Sequence, residues 1–154
     1  MRQEHKLTSK RMIEFLSILG IIPFYFELFD HLLHLNTQFE YETRFRNFSF
    51  IYGSLIISFL SGMHWQKLIN AESIKLLYLP MIPVILVWLS FLFTPEFFFK
   101  IIIIIGLIWC LLVDLLILRE LNQDWFLKLR SIVTFLAIPP LFVIFFVKLN
   151  QYDR

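Results

Sequence analysis

The sequence predicts an all-α fold: a polytopic integral membrane helical bundle of about five transmembrane helices, forming a single membrane domain over residues 1–154. Three observations predict it. Hydrophobic residues make up 58% of the 154-residue chain, with a mean hydropathy of +0.73, well above an ordinary soluble domain. Apolar windows long enough to cross a ~30 Å hydrocarbon core, which needs ~20 helical residues, recur five times. The connections between them are too short to hold an aqueous domain. This composition excludes disordered tails, collagen and disulfide-knotted scaffolds. A net charge of +2 is too small to suggest a polyanionic partner, so no nucleic acid is expected. The partner that every span requires is the lipid bilayer.

Span 1 runs from about Ile13 to His34. Arg2, Lys6, Lys10 and Arg11 precede it, but no alanine occurs before Ala71 and no small-residue cleavage site follows. An uncleaved anchor is therefore expected rather than a secretory signal. Its end carries Glu27, Asp30, His31 and His34, spaced i, i+3, i+4 and i+7 on one helix face. Carboxylates and imidazoles at i, i+4 chelate divalent metals, and two such pairs interleave here. The competing reading is a solvated amphipathic helix end, because no second histidine-bearing helix completes a metal site.

Span 2 runs from about Phe48 to Lys67. Ser54, Ser58 and Gly62 fall at i, i+4 and i+8, a face of small residues of the kind that lets membrane helices approach closely. Gly53 lies on the other side with Ile57, Leu60 and His64, so both faces have something to contact. Gly53, Ser54, Ser58 and Gly62 are the expected helix-packing positions, within this chain or in a homodimer.

Span 3 runs from about Ile74 to Phe93 and carries Pro80 and Pro83. Span 4 runs from about Phe97 to Leu118, with Thr94-Pro95-Glu96 ahead of it as an N-cap, a first-turn proline and a first-turn acid. Within it, Asp114 lies among Leu111, Leu112, Val113, Leu115 and Leu116. An acid at that depth costs several kcal/mol, on insertion scales ~2.5 to 3.5, unless it is paired, protonated or hydrated. Span 5 runs from about Phe126 to Lys148, with Asp124 as its cap and Arg130 one turn in. Pro23, Pro80 with Pro83, and Pro139 with Pro140 sit inside spans 1, 3 and 5 and are expected to kink them.

Loop charges set the orientation. Nine cations lie on the side of the N-terminus (Arg2, Lys6, Lys10, Arg11, Lys67, Lys75, Arg119, Lys128, Arg130) and five on the other (Arg44, Arg46, Lys100, Lys148, Arg154). The positive-inside rule then places the N-terminus in the cytosol and the C-terminus outside an inner, cytoplasmic membrane. In that orientation His64 and Asp114 both lie ~9 Å from the bilayer centre in the cytoplasmic leaflet, at ~1.5 Å per residue. Arg130 and Glu14 approach from the same side. A polar cluster of His64, Asp114, Arg130 and Glu14 is expected, with Asp114 and Arg130 as its ion pair. It is either a strut that fixes helix register or a headgroup, quinone or proton site.

Cys110 is the single cysteine, so no intrachain disulfide can form. No internal repeat appears, which argues against a repeat-built transporter. There is no P-loop, G-x-G-x-x-G, G-x-S-x-G, H-E-x-x-H or C-x-x-C, so no catalytic residue and no cofactor can be assigned, and the chain is not read as an enzyme.

Tyr52-Gly53 through Ser58-Phe59-Leu60-Ser61-Gly62 to Trp65, the intramembrane acid Asp114, and Asp124-Trp125-Phe126 to Leu129-Arg130 and Thr134 together resemble the domain-of-unknown-function 3429 family, which also includes the transmembrane protein 69 group. The resemblance covers about Gly20 to Val147. The chain departs from the family pattern at Ser61, where a second glycine is usual, and at Gln66, where a small residue is common. The acidic and histidine face of span 1 has no family counterpart. The resemblance implies a small polytopic protein of bacterial inner or mitochondrial membranes and carries no activity with it.

Two functions remain open at this level. One is an accessory, scaffold or assembly protein of a membrane complex, working through other membrane proteins or self-association. The other is a carrier or channel for protons, small solutes or lipids that uses the polar cluster.

Overall fold

The computed structural model describes residues 2–32, 47–72 and 74–152, and all of its regular structure is helical. Helix α1 (Arg2–Leu19) leads into α2 (Ile22–Leu32), followed by α3 (Phe48–Asn70), α4 (Met81–Phe93), α5 (Glu96–Leu112) and α6 (Asp124–Tyr152). A short 3-10 turn, Ile74–Leu76, precedes α4, and a wider π turn, Val113–Ile117, extends α5. Four stretches are long and apolar enough to cross a membrane: Thr8–Phe29, Phe48–Asn70, Glu96–Ile117 and Asp124–Phe146.

The outside of the bundle is as greasy as its inside. Leu55, Phe59, Phe91, Phe93, Leu116 and Phe135 all project outward. In water such a surface would drive aggregation, and in a bilayer it is the solvated face. The chain is a multi-pass membrane protein.

Inside, α3 and α5 form the centre. A Cβ built on Gly53 would stand 2.7 Å from Ile103 Cγ2, and one built on Gly106 would stand 2.7 Å from Ile57 Cδ1. Each helix thus offers a glycine hole to the other's isoleucine, so the backbones approach closely where no hydrophobic exclusion from water is available to drive them together. The pairs ascend together, Gly53 with Ile103 and Ile57 with Gly106, so α3 and α5 run parallel. Between two parallel neighbours the chain must travel back, and α4 makes that return. Its start lies level with Trp109, whose indole N–H donates to Leu79 O at 3.1 Å, and its end lies beside the first turn of α5. Phe99, Ile103, Leu107 and Cys110 of α5 pack with Phe50 and Ile57 of α3, Val87 of α4 and Leu141 of α6 in one buried core.

The expected third span is shorter than its apolar window. Proline disfavours helical backbone at the residue before it, so Pro80 holds the start of α4 at Met81 and leaves 13 helical residues, or ~20 Å. Pro83 then lies in the first turn of α4 rather than in an interior. Pro23 sits likewise at the start of α2, after a break at Gly20 and Ile21 that divides the expected first span into α1 and α2. Only in α6 do prolines, Pro139 and Pro140, lie within a continuous helix.

The carbonyls these breaks expose are met by aromatic donors of neighbouring helices. Pro140 has no N–H for Leu136 O, which accepts the Tyr25 hydroxyl at 3.0 Å. Pro83 has none for Leu79 O, the acceptor of Trp109. At the α1–α2 break, the Phe24 N–H turns to Ile21 O, and Gly20 O accepts the Tyr52 hydroxyl at 3.1 Å. Buried backbone polar groups in hydrocarbon require such partners.

Two expected caps differ. Thr94 closes α4, its N–H and hydroxyl both donating to Ser90 O at 3.1 and 2.7 Å, instead of opening α5, whose N-cap is Pro95. Asp124 is the first residue of α6 rather than its cap.

Candidate functional site

The register set by Gly53 and Ile103 determines what meets further along. Eleven residues are close to three helical turns, so His64 lies below Gly53 and Asp114 below Ile103, each on the face that carries the packing. His64 Nε2 is 3.1 Å from Asp114 Oδ1, and Arg130 Nε, from the second turn of α6, donates to Asp114 Oδ2 at 2.9 Å. The Asn122 side-chain amide, in the α5–α6 connection, donates to Oδ1 at 3.3 Å and in turn accepts from Lys67 Nζ. Asp114 is 1% exposed and His64 2%.

One carboxylate therefore ties together α3, α5, α6 and the connection between the last two. Arg130 balances its charge, and donors from three directions replace the water it lost, the condition under which a buried acid is tolerated. The π turn contributes locally. The Leu118 N–H reaches back five residues to Val113 O at 2.9 Å, a widened turn of the kind that recurs at functional positions. Among the described residues, three buried side-chain polar atoms have no hydrogen-bond partner: Ser61 Oγ, His64 Nδ1 and Arg130 Nη2. Ser61 and His64 sit at i, i+3 on α3. The Ser61 hydroxyl lies beside the Cys110 thiol without a well-formed bond.

The structure thus brings His64, Asp114 and Arg130 together and leaves Glu14 apart. Glu14 is half-buried on α1, 3.7 Å from Lys10, on a helix that packs against the start of α6, where Lys10 lies over the Trp125 ring. Asn122 and Lys67 join in its place. Neither was legible beforehand, since Asn122 reads as ordinary loop polarity and Lys67 as an interfacial cation.

The packing positions separate in the same way. Gly53 is buried against Ile103, whereas Ser58 and Gly62 are exposed and Ser54 is half-buried. The Ser54 and Ser58 hydroxyls donate to carbonyls of their own helix, Ile51 O at 2.6 Å and Ser54 O at 3.0 Å. Among the described residues, the face opposite His64 is therefore not a seam between helices. Gly53 was the only one of the four on the side that α5 occupies.

Glu27 has a role that its spacing hid. Its carboxylate is buried and accepts the backbone N–H groups of Asn47 at 3.3 Å and Ser49 at 3.1 Å, so α2 caps the N-terminus of α3 across the bundle. Ser49 answers with its hydroxyl on Phe24 O at 3.2 Å. Both oxygens of Glu27 are engaged with backbone and the side chain is buried, which corrects its expected place on a solvated helix end. The side chains of Asp30 and His31, and the whole of His34, lie outside the described residues. Among the described residues no group of three or more His, Cys, Asp or Glu side chains is placed to hold a metal.

A further buried charge, counted above among the loop cations, lies at the far end of the bundle. Lys100 of α5 is 4% exposed, bonds Glu96 Oε1 at 2.7 Å and lies over the Phe50 ring at 5.6 Å.

Searches of curated proteins and of solved structures each returned no match. A family model described as "Protein of unknown function (DUF3429)" matches residues 9–146, from the first span nearly to the end of the last, and the chain belongs to that family.

Proposed function

We propose that the protein is a non-enzymatic accessory or assembly component of a larger membrane complex, seated in the inner membrane as a single domain of five spans. The observation that carries this reading is the division of labour on α3. Its inner face is used up within the chain by Gly53, Ile57 and His64. Its outer face presents Ser54, Ser58 and Gly62, and nothing among the described residues lies within 4 Å of a Cβ at Gly62. Small residues facing lipid gain nothing, but against another helix they permit close backbone approach. The closed pairing of Asp114 supports the same reading, because it serves as a strut that holds α3 in position. Parallel α3 and α5, with α4 returning between them, support a third crossing at α4 and termini on opposite sides. Nine cations against five support an N-terminus in the cytosol and a C-terminus outside.

The test is native mass spectrometry of protein purified from its own membranes in mild detergent, as wild type and as Ser58→Leu/Gly62→Leu. A stoichiometric partner polypeptide, or a second copy, that is lost in the variant while the variant stays folded supports the reading. A monomer in both samples, carrying only lipid, overturns it.

A further inference from the structure

A groove of about 450 Å³ runs down the outside of the bundle where α1 gives way to α2. Ile18, Ile21, Ile22, Phe26 and Phe29 form one wall and Leu136 of α6 the other. All but Ile21 are exposed, and only 17% of the first span is buried within the chain, so lipid is what this hollow meets. A hydrocarbon chain lying in a groove is touched on several sides, whereas a flat helix face touches it on one, and the dispersion contacts add up along its length.

Two contacts fix the direction and depth of the groove. The Tyr25 hydroxyl donates to Leu136 O at 3.0 Å, and Lys10 Nζ stands 5.3 Å from the centre of the Trp125 ring. The first span and α6 therefore run parallel, with Tyr25 and Leu136 near one level. Counted from that level at ~1.5 Å per residue, Ile18 lies ~10 Å, Lys128 ~12 Å and Arg11 ~21 Å toward the start of the two helices. Arg11 stands two turns before Ile18 on the same face of α1, and Lys128 begins the i, i+4 ridge that passes Ile132 to reach Leu136. Both cations are exposed. The groove thus leads up to Arg11 and Lys128, at the height where lipid phosphates stand above a leaflet whose hydrocarbon is ~15 Å deep. Lys10 is shared with Glu14 at 3.7 Å, and Arg130 is spent on Asp114. The other charges that α1 and α6 place around this mouth, Lys10, Arg11 and Lys128 against Glu14 and Asp124, leave a net +1, the complement of one phosphodiester.

We propose that this groove binds one anionic phospholipid, its phosphate held between Arg11 and Lys128 and one acyl chain laid along Ile18, Ile22 and Leu136. The apolar walls accept any chain, and the cations select the head. A phospholipid with a net negative charge is attracted by both cations, whereas a zwitterionic one brings its own ammonium group, which they repel. Trp125, with Lys10 over its ring, stands at the same height and suits the boundary between chain and headgroup. The site uses no residue of the outer face of α3, so it and the assembly reading stand or fall separately.

The experiment is native mass spectrometry of the full-length protein, stripped of lipid by detergent exchange and titrated with palmitoyl-oleoyl phosphatidylglycerol or with the phosphatidylcholine of the same chains. Wild type is expected to hold one phosphatidylglycerol per chain about tenfold more tightly than phosphatidylcholine, the effect of one to two cations at a membrane surface. Arg11→Gln/Lys128→Gln is expected to bring the two lipids within about twofold of each other, since the charge preference goes and the apolar walls remain. Ile22→Trp, which fills the groove from an exposed position, is expected to weaken both lipids alike. All three substitutions are at exposed positions, and thermal unfolding checks that each variant is folded. Equal affinity of wild type for the two lipids, or a phosphatidylglycerol preference that survives in folded Arg11→Gln/Lys128→Gln, overturns the headgroup site. Binding of both lipids undiminished in folded Ile22→Trp overturns the groove as the place where the chain lies.

Discussion

Gly53 of α3 receives the side chain of Ile103 of α5 so closely that a single added methyl would stand 2.7 Å from Ile103 Cγ2. The contact fixes the axial register of the two central helices, and three turns further on that register delivers His64 to Asp114 at 3.1 Å. Packing and charge pairing are therefore one device. A shift of α3 against α5 by a single residue, ~1.5 Å along the axis and ~100° around it, would strand the acid without its histidine.

Gly53→Ala is expected to destabilise the protein by about 1–3 kcal/mol, the usual cost of overpacking. Gly106→Ala is expected to cost less, because the atom it meets is the freely rotating end of Ile57, whereas Cγ2 of Ile103 is fixed to a branched Cβ. Ile103→Leu, which lacks that branch, should rescue Gly53→Ala, and Ile103→Val, which keeps it, should not. Thermal unfolding in detergent reads all five proteins.

Asp114→Asn and Arg130→Gln are each expected to cost about 3–5 kcal/mol, since each leaves its partner buried and uncompensated. The double variant should cost clearly less than the two together. Denaturant titration of the four proteins in mixed micelles measures the coupling, and strict additivity would show that the two side chains act separately.

Tyr25→Phe removes the hydroxyl that serves Leu136 O and is expected to cost about 0.5–1.5 kcal/mol, one hydrogen bond. In a Pro140→Ala background the restored N–H reaches that carbonyl from within α6, and the same substitution should then cost little. If the penalty is the same in both backgrounds, the tyrosine is not the proline's substitute.

Glu27→Ala is expected to cost about 0.5–2 kcal/mol, as loss of a helix cap does, and to speed amide exchange at Asn47 and Ser49. Glu27→Gln, which retains an acceptor, should behave closer to wild type. Hydrogen exchange read by mass spectrometry distinguishes the two. Dialysis of the wild type against a chelator is expected to leave both exchange and thermal stability unchanged.

Periodicity and apolar length made α3, α5 and α6 readable, and the composition of their flanks placed their ends within a few residues. The shorter α4 was misjudged because an apolar window reports what lipid tolerates, while Pro80 decides where helical backbone can begin. The pairing of Asp114 with Arg130 and His64 was legible from depth alone, since an acid in hydrocarbon requires partners at its own level. Glu14 misled for the same reason, because depth says nothing about which neighbour a helix packs against.

By itself the sequence determined that this is a helical membrane protein, where α3, α5 and α6 run to within a few residues, and that His64, Asp114 and Arg130 lie deep. Hydropathy and helical rise are properties of a segment alone, and a linear reading captures them in full. Only the tertiary structure decided that α5 takes the Gly53 face of α3 rather than the Ser54–Ser58–Gly62 face, that Glu27 is buried as a helix cap rather than facing solvent, and that Asn122 completes the shell of Asp114. Those choices depend on rotations about helix axes and on contacts between residues 8 to 50 positions apart. In a bilayer they are settled by close packing and by satisfaction of buried polar groups, for which no single segment carries the information.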